Sequence, residues 1–202
     1  MKGRRVWEIG GFIAGAVLIA FGIGAIYIGI NAYRTVGDEL GKEYIVGGSD
    51  MAPAEIQKTA SEAGVPETIE LPTCDVVDEA INTGGEARCF AQYMRIHALE
   101  ATGGLSYAQM GRFQSAAEPA DPAGTSDEAA AAKDESGNPV SNGARNIWIN
   151  ETALATALNV SYMAEQLAFF GIVVGVALLL TGLGLVILAF AVFGRERASL
   201  ST

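Results

Sequence analysis

The chain has 202 residues, half of them hydrophobic, with 13 Lys or Arg against 23 Asp or Glu, for a net charge of −10. Such an acidic balance gives nucleic acid no basic footprint. The large aliphatic side chains are gathered in two runs and the mean hydropathy is +0.28, a pattern that excludes an ordinary soluble domain.

In chain order, a short tail over 1–8 carries Lys2, Arg4 and Arg5, with Trp7 at its end. An uncharged apolar run follows over 9–30, long enough to cross a bilayer as one helix. Gly11, Gly15, Gly22 and Gly29 lie in it at spacings of four, seven and seven. At 100° per residue they fall within about 40° of one another, giving the helix a groove free of side chains. A second small stripe of Ala16, Ala20 and Gly24 faces roughly the opposite way and meets either another protein or lipid. A cleaved secretory signal is the rival reading of this end. The run, at about 22 residues, is longer than the roughly 7 to 15 of such a signal, and Ile30-Asn31-Ala32 is a poor cleavage match.

Residues 31–114 are expected to form a small helical domain. After a polar stretch over 34–46, a helix is predicted over 50–64, capped by Asp50, with Pro53 in its first turn and Gly64 as its stop. A second is predicted over 73–82, opened by Thr73 and ended by Gly84 and Gly85. The third, over 86–101, has Cys89, Phe90, Tyr93, Met94 and His97 on an apolar face and stops at Gly103 and Gly104. A short turn over 106–113 follows. No stretch alternates apolar and polar residues long enough to argue for a sheet. From 115 to 143 the chain is mostly Ala, Asp, Glu, Ser, Gly and Pro, with too little apolar surface to offset the entropy of ordering, and reads as a mobile acidic loop. Within it, 129–133 is expected to be transiently helical, and Asp127, Glu128, Asp134 and Glu135 match no calcium-loop spacing.

Order returns at Ala144. Asn150 is expected to cap a helix that continues through 166, with Leu154, Leu158 and Tyr162 on one side, into a second apolar run over 167–193. That run carries Gly171, Gly175, Gly182 and then Ala189, again spaced four, seven and seven. Lipid gives helices no hydrophobic reason to associate, so close backbone approach between small residues must supply it. Antiparallel pairing brings Gly29 toward Gly171, Gly15 toward Gly182, and Gly11 toward Ala189. A tail over 194–202 carries Arg195 and Arg197.

Charge sets the orientation. The middle, 34–165, holds eight Lys or Arg against 21 Asp or Glu, a balance of −13, and the tails hold +3. Basic segments beside a span stay on the cytoplasmic side. Both termini are therefore expected in the cytoplasm and residues 34–165 outside the plasma membrane. Trp7, Tyr27, Tyr33, Phe169, Phe170, Phe193 and Arg195 fit interfacial anchors. Neither run contains Asp, Glu, Lys, Arg or His, which argues against an ion or proton pathway.

Cys74 and Cys89, the only cysteines, both fall in the outer segment and are expected to form a structural disulfide. A redox or metal-binding pair would need closer spacing or more ligands. His97, the single histidine, reads as a packed, hydrogen-bonded residue. No Gly-x-Ser-x-Gly elbow or phosphate-cradling loop is present. Asn150-Glu151-Thr152 and Asn159-Val160-Ser161 fit the glycosylation pattern. No catalytic residue, metal or cofactor is expected.

The segments LPTCDVVDEAINTGGEARCFAQYMRIHALEATGG (71–104) and ARNIWINETALATALN (144–159), set between glycine-rich runs, resemble an uncharacterised family of actinobacterial two-span membrane proteins. Its members are sometimes labelled aromatic ring-opening dioxygenases. Extradiol chemistry of that kind uses two histidines and a carboxylate on iron, and this chain has His97 alone. The resemblance therefore implies location and architecture. The expected fold is an all-α membrane protein, an antiparallel pair of transmembrane helices flanking a small helical extracytoplasmic domain with a disordered acidic loop. The expected function is a non-catalytic accessory or scaffold protein of the envelope, in contact with the lipid bilayer and with other membrane proteins. The alternative is an extracytoplasmic sensor or ligand-binding module.

Overall fold

A computed structural model describes residues 2–199, with side chains placed over 9–191. The side chains of Trp7, Phe193, Arg195 and the two basic tails lie outside the described residues. The chain is all-helical: α1 (Lys2–Lys42), α2 (Pro53–Glu62), α3 (Gly84–Ala101), a 3-10 turn (Tyr107–Gln109) and α4 (Gly143–Ser199). Among the described residues there are isolated β-bridges but no strands. Two compact units emerge, one made of 1–36 and 164–202, the other of 37–163.

The first unit is an antiparallel helix pair. Both helices are long and apolar enough to cross a membrane, and only 17% of each apolar window is buried. A core helix of a soluble protein would be mostly buried. Here Phe21, Ile28, Leu167, Phe170, Leu180 and Ile187 all stand more than half exposed. The surface that is buried is the one lined with small residues. Phe12 also meets Phe190 edge to face, centroids 5.1 Å apart.

In the second unit α2 packs on α3. Pro53 takes the first position of α2, where no intrahelical N–H is needed, and Ala52, not Asp50, is the N-cap. Gly64, at φ +64°, ends the helix with the Val65 N–H bonded back to the Ala60 carbonyl at 2.9 Å. That left-handed stop is the Schellman arrangement. α3 is the central element. Ala87, Ala91 and Ala98 are buried on one side of it and Cys89, Tyr93 and Ile96 on the other. Phe90, Met94 and His97, expected on its apolar face, are only half-buried.

Three expectations need correction. No helix forms over 73–82. That segment is an extended strap whose backbone pairs with 45–51: Ile81 N–H donates to the Ile45 carbonyl (3.0 Å), Asp78 to Gly47 (3.1 Å) and Gly47 to Glu79 (2.9 Å). The β-branched Val76, Val77 and Ile81 suit extended backbone, and Asp78 at φ +54° breaks any helix there. Secondly, Gly84 and Gly85 begin α3 where they were expected to end a helix. Thr83 is its N-cap, and with Glu86 it forms a capping box: the Glu86 N–H donates to Thr83 Oγ1 (3.2 Å) and the Thr83 N–H to Glu86 Oε2 (2.9 Å). Thr83→Ala is accordingly expected to lower stability by ~1 kcal/mol, read as an earlier midpoint in denaturant unfolding. Thirdly, α4 starts seven residues before Asn150. Asn142 caps it, accepting from the Ala144 N–H at 3.1 Å, while its buried amide donates to the Gly111 and Pro122 carbonyls.

The segment 115–143, expected to be a mobile acidic loop, runs through isolated β-bridges and turns. Gln114, Ala132 and Val140 are linked by backbone bonds of 2.9 Å, and Phe113 exchanges two with Thr125. Asp121, Asp127 and Asp134 each accept backbone N–H groups two residues on, forming Asx turns. The bonds to Asn138, Ser136 and Gly137, that to Asn138 foremost, hold the Asp134 carboxyl below its ordinary pKa. Backbone pairing and carboxylate-closed turns run through this stretch, in which Ala131 and Asn142 are buried.

Candidate functional site

The small residues of the first unit sit directly on the facing backbone. A methyl group added at Gly22 would stand 2.7 Å from the Gly175 carbonyl oxygen and 2.8 Å from the Leu179 nitrogen; at Gly15, 2.9 Å from the Gly182 oxygen. In return, Gly175 and Gly182 would meet the Gly22 and Gly15 oxygens at 2.8 and 2.7 Å. Gly11 faces Ala189 at 3.9 Å. Gly29 meets Ala168 and Ile172, so it is not opposite Gly171, whose nearest neighbour is Ala25 at 4.0 Å. A seven-residue repeat corresponds to 3.5 residues per turn, short of the helical 3.6, and keeps a seam in register when helices wind left-handed. Gly24, on the second small stripe, has nothing within 4 Å.

In the second unit, Cys74 and Cys89 form a disulfide, Cα atoms 6.1 Å apart. It fastens the 73–82 strap to α3, since no helix exists there to be stapled. The fully buried Tyr93, one turn further on, donates its hydroxyl to the Cys74 carbonyl at 2.6 Å. Burial, and secondarily the Asp75 carboxylate, raises the Tyr93 pKa, so the phenol stays a donor. Bridge and hydrogen bond thus hold the same residue of the strap.

His97 lies between two carboxylates, Nε2 3.4 Å from Asp50 Oδ2 and Nδ1 3.4 Å from Glu100 Oε2. No cluster of three or more His, Cys, Asp or Glu side chains suited to a metal occurs among the described residues.

Glu151 was not singled out by the sequence. Its side chain is 4% exposed, with Oε1 3.2 Å from Arg95 Nε, and that guanidinium lies over the Trp148 ring at 4.6 Å. The approach is close but too poorly aligned for a hydrogen bond, so Oε1 has no hydrogen-bond partner. The site lines a cleft of about 170 Å³ with Gln92 and Asn159. Desolvation raises the carboxyl pKa above 4.5 despite the opposing pull of Arg95 and the Thr152 hydroxyl. The folded chain therefore binds this proton more tightly than the unfolded chain. Its stabilising effect is complete below about pH 4.5 and is lost as pH rises through the folded-state value. Glu151→Gln is expected to flatten that slope and to unfold later than the native chain at pH 7, with the two converging toward pH 4.5. Parallel thermal melts across that range measure the gap.

Two further surfaces stand out. On α4, from 146 to 163, the only charged residue is the buried Glu151. Ile149, Val160 and Met163 are 45%, 56% and 60% exposed and share one face within about 60°. The other is an apolar groove of about 580 Å³ walled by Leu40, Phe90, Met94, Leu154 and Leu158, with Glu43 and Ser161 among its polar residues. Its size and lining fall in the range of small-molecule sites.

No protein-family model matches the chain, and no curated protein or solved structure matches it either.

Proposed function

We propose that this chain is a non-catalytic integral membrane protein that serves as an accessory or scaffold subunit of a larger membrane complex. It crosses the plasma membrane twice, with both termini in the cytoplasm and residues 34–165 outside. The observation that carries the reading is the uncharged exposed face of α4. Over 34–165 the net charge is −13, yet Ile149, Val160 and Met163 form a solvent-facing stripe without a single exposed charge between 146 and 163. A free acidic domain gains nothing from such a face, whereas a partner that covers it removes apolar area from water at ~25 cal/mol per Å². The poorly buried apolar helices and the resemblance to two-span proteins support the same reading.

Gentle detergent extraction at native expression, followed by identification of co-purifying proteins, tests the proposal. A stoichiometric membrane partner released by Val160→Glu is the expected result, and a lone monomer would count against it. The groove favours a second reading, an outer ligand-binding module anchored by the two helices.

A further inference from the structure

We infer that the groove beside Phe90 and Met94 holds an acyl chain of a bilayer lipid with an ammonium-bearing headgroup. The inference rests on the two-span reading above and deepens its ligand-binding alternative.

Three observations converge on that ligand. The groove, at about 580 Å³, is walled by Leu40, Phe90, Met94, Leu154 and Leu158, side chains that offer an alkyl chain dispersion contacts and almost no hydrogen bonds. A polar metabolite would leave its own groups unpaired there. Two of its walls belong to helices that are also the apolar runs. Ser161 precedes Leu167 by six residues in uninterrupted α4, and Leu40 follows Ile30 by ten in uninterrupted α1. The helices that wall the groove are thus the same helices that carry the apolar runs.

Its charge selects the headgroup. The charged residues lining the groove are Glu39 and Glu43, and no Lys or Arg lines it. Glu39 is held by Lys42 at 2.6 Å, which leaves the exposed Glu43 to receive a cation. An anionic headgroup or a free fatty-acid carboxylate would be repelled by these side chains and by the acidic unit around them. An ammonium such as that of phosphatidylethanolamine satisfies Glu43, with the Ser161 hydroxyl as a further polar partner.

The full chain, reconstituted in bilayers, is irradiated with phosphatidylethanolamine carrying a diazirine beside the ester carbonyl of one acyl chain, at interfacial depth, and adducts are mapped by mass spectrometry. Adducts are expected on Phe90 or Met94 and on 154–158, as well as on Phe169 and Phe170. Ala157→Phe fills the groove and Leu154→Glu charges it. Both positions are exposed, so neither change disturbs a packed core. Each variant is expected to cut groove adducts about tenfold (~1.4 kcal/mol) while leaving those at Phe169 and Phe170 unchanged. The same probe on phosphatidylglycerol is expected to label the groove several-fold less. Adducts confined to Phe169 and Phe170, or groove adducts insensitive to both variants, would overturn the inference while the membrane reading stands. Absence of adducts at Phe169 and Phe170 would overturn the membrane reading itself. Equal labelling by the two headgroups would overturn the role given to Glu43.

Discussion

Gly22→Val or Gly175→Val is expected to force α1 and α4 apart, whereas Gly24→Val and Gly184→Val leave the pair intact. The four glycines lie in the same two apolar runs and differ in what a side chain would meet. At Gly22 and Gly175 the obstacle is the partner's backbone, at 2.7 to 2.8 Å, which cannot rotate away as a side chain can. At Gly24 and Gly184 there is nothing within 4 Å. Overpacking a closely fitted contact costs about 1–3 kcal/mol. A valine opposed by main chain belongs at the upper end of that range, because relief requires moving a whole helix. In lipid no hydrophobic term pulls the helices back together, so loss of close approach removes most of what joins them. The measurement is cross-linking of a Gly11→Cys/Ala189→Cys pair, 3.9 Å from Cβ position to Cβ atom in the native chain. High intrachain yield should survive Gly24→Val and Gly184→Val and collapse with Gly22→Val or Gly175→Val. Equal yields in all four would show that the seam does not hold the helices.

Removing the disulfide has the second large effect. Cys74 and Cys89 close a loop of 15 residues, worth about 3 kcal/mol in the chain-entropy account. The strap it holds is extended, not helical, and its backbone bonds to 45–51 are few, so local structure compensates little. Cys74→Ser/Cys89→Ser is expected to lower the unfolding midpoint of the second unit by the equivalent of that energy and to expose 73–82 to protease. Tyr93→Phe removes only the hydroxyl bond to the Cys74 carbonyl and should cost about 1 kcal/mol. Proteolysis followed by mass spectrometry separates the two cases. A strap equally resistant with and without the bridge would show that its pairing with 45–51 suffices.

The parts legible in the sequence were those set by periodicity and strong local chemistry. The two apolar runs, the helix with Pro53 and Gly64 at its ends, and the helix carrying Cys89 and Tyr93 all announce themselves along the chain. The errors arose where one residue type serves opposite ends of a helix. Gly84 and Gly85 look like a stop, yet Thr83 and Glu86, three residues apart, encode a start that outweighs them. The 73–82 strap is not legible in local spacing because its partner, 45–51, lies about 30 residues earlier. In 115–143, scarcity of large side chains gives no hint of the backbone pairing there, nor that the exposed Asp121, Asp127 and Asp134 close Asx turns. Glu151 was invisible for a related reason. In sequence it is one more acid in an acidic chain, and only folding buries it against Arg95 with one oxygen lacking a hydrogen bond.

The turn at Gly137 has open space around it and lies in the exposed part of the second unit, so a protease site inserted there tests the topology without disturbing the core. On intact cells, cleavage at that insertion is expected, while a tag placed after Thr202 stays protected until the membrane is opened. A tag digested on intact cells with the Gly137 site left whole would contradict the proposed two-span arrangement, on which the proposed outer position of the disulfide, lipid groove and partner surface all depend.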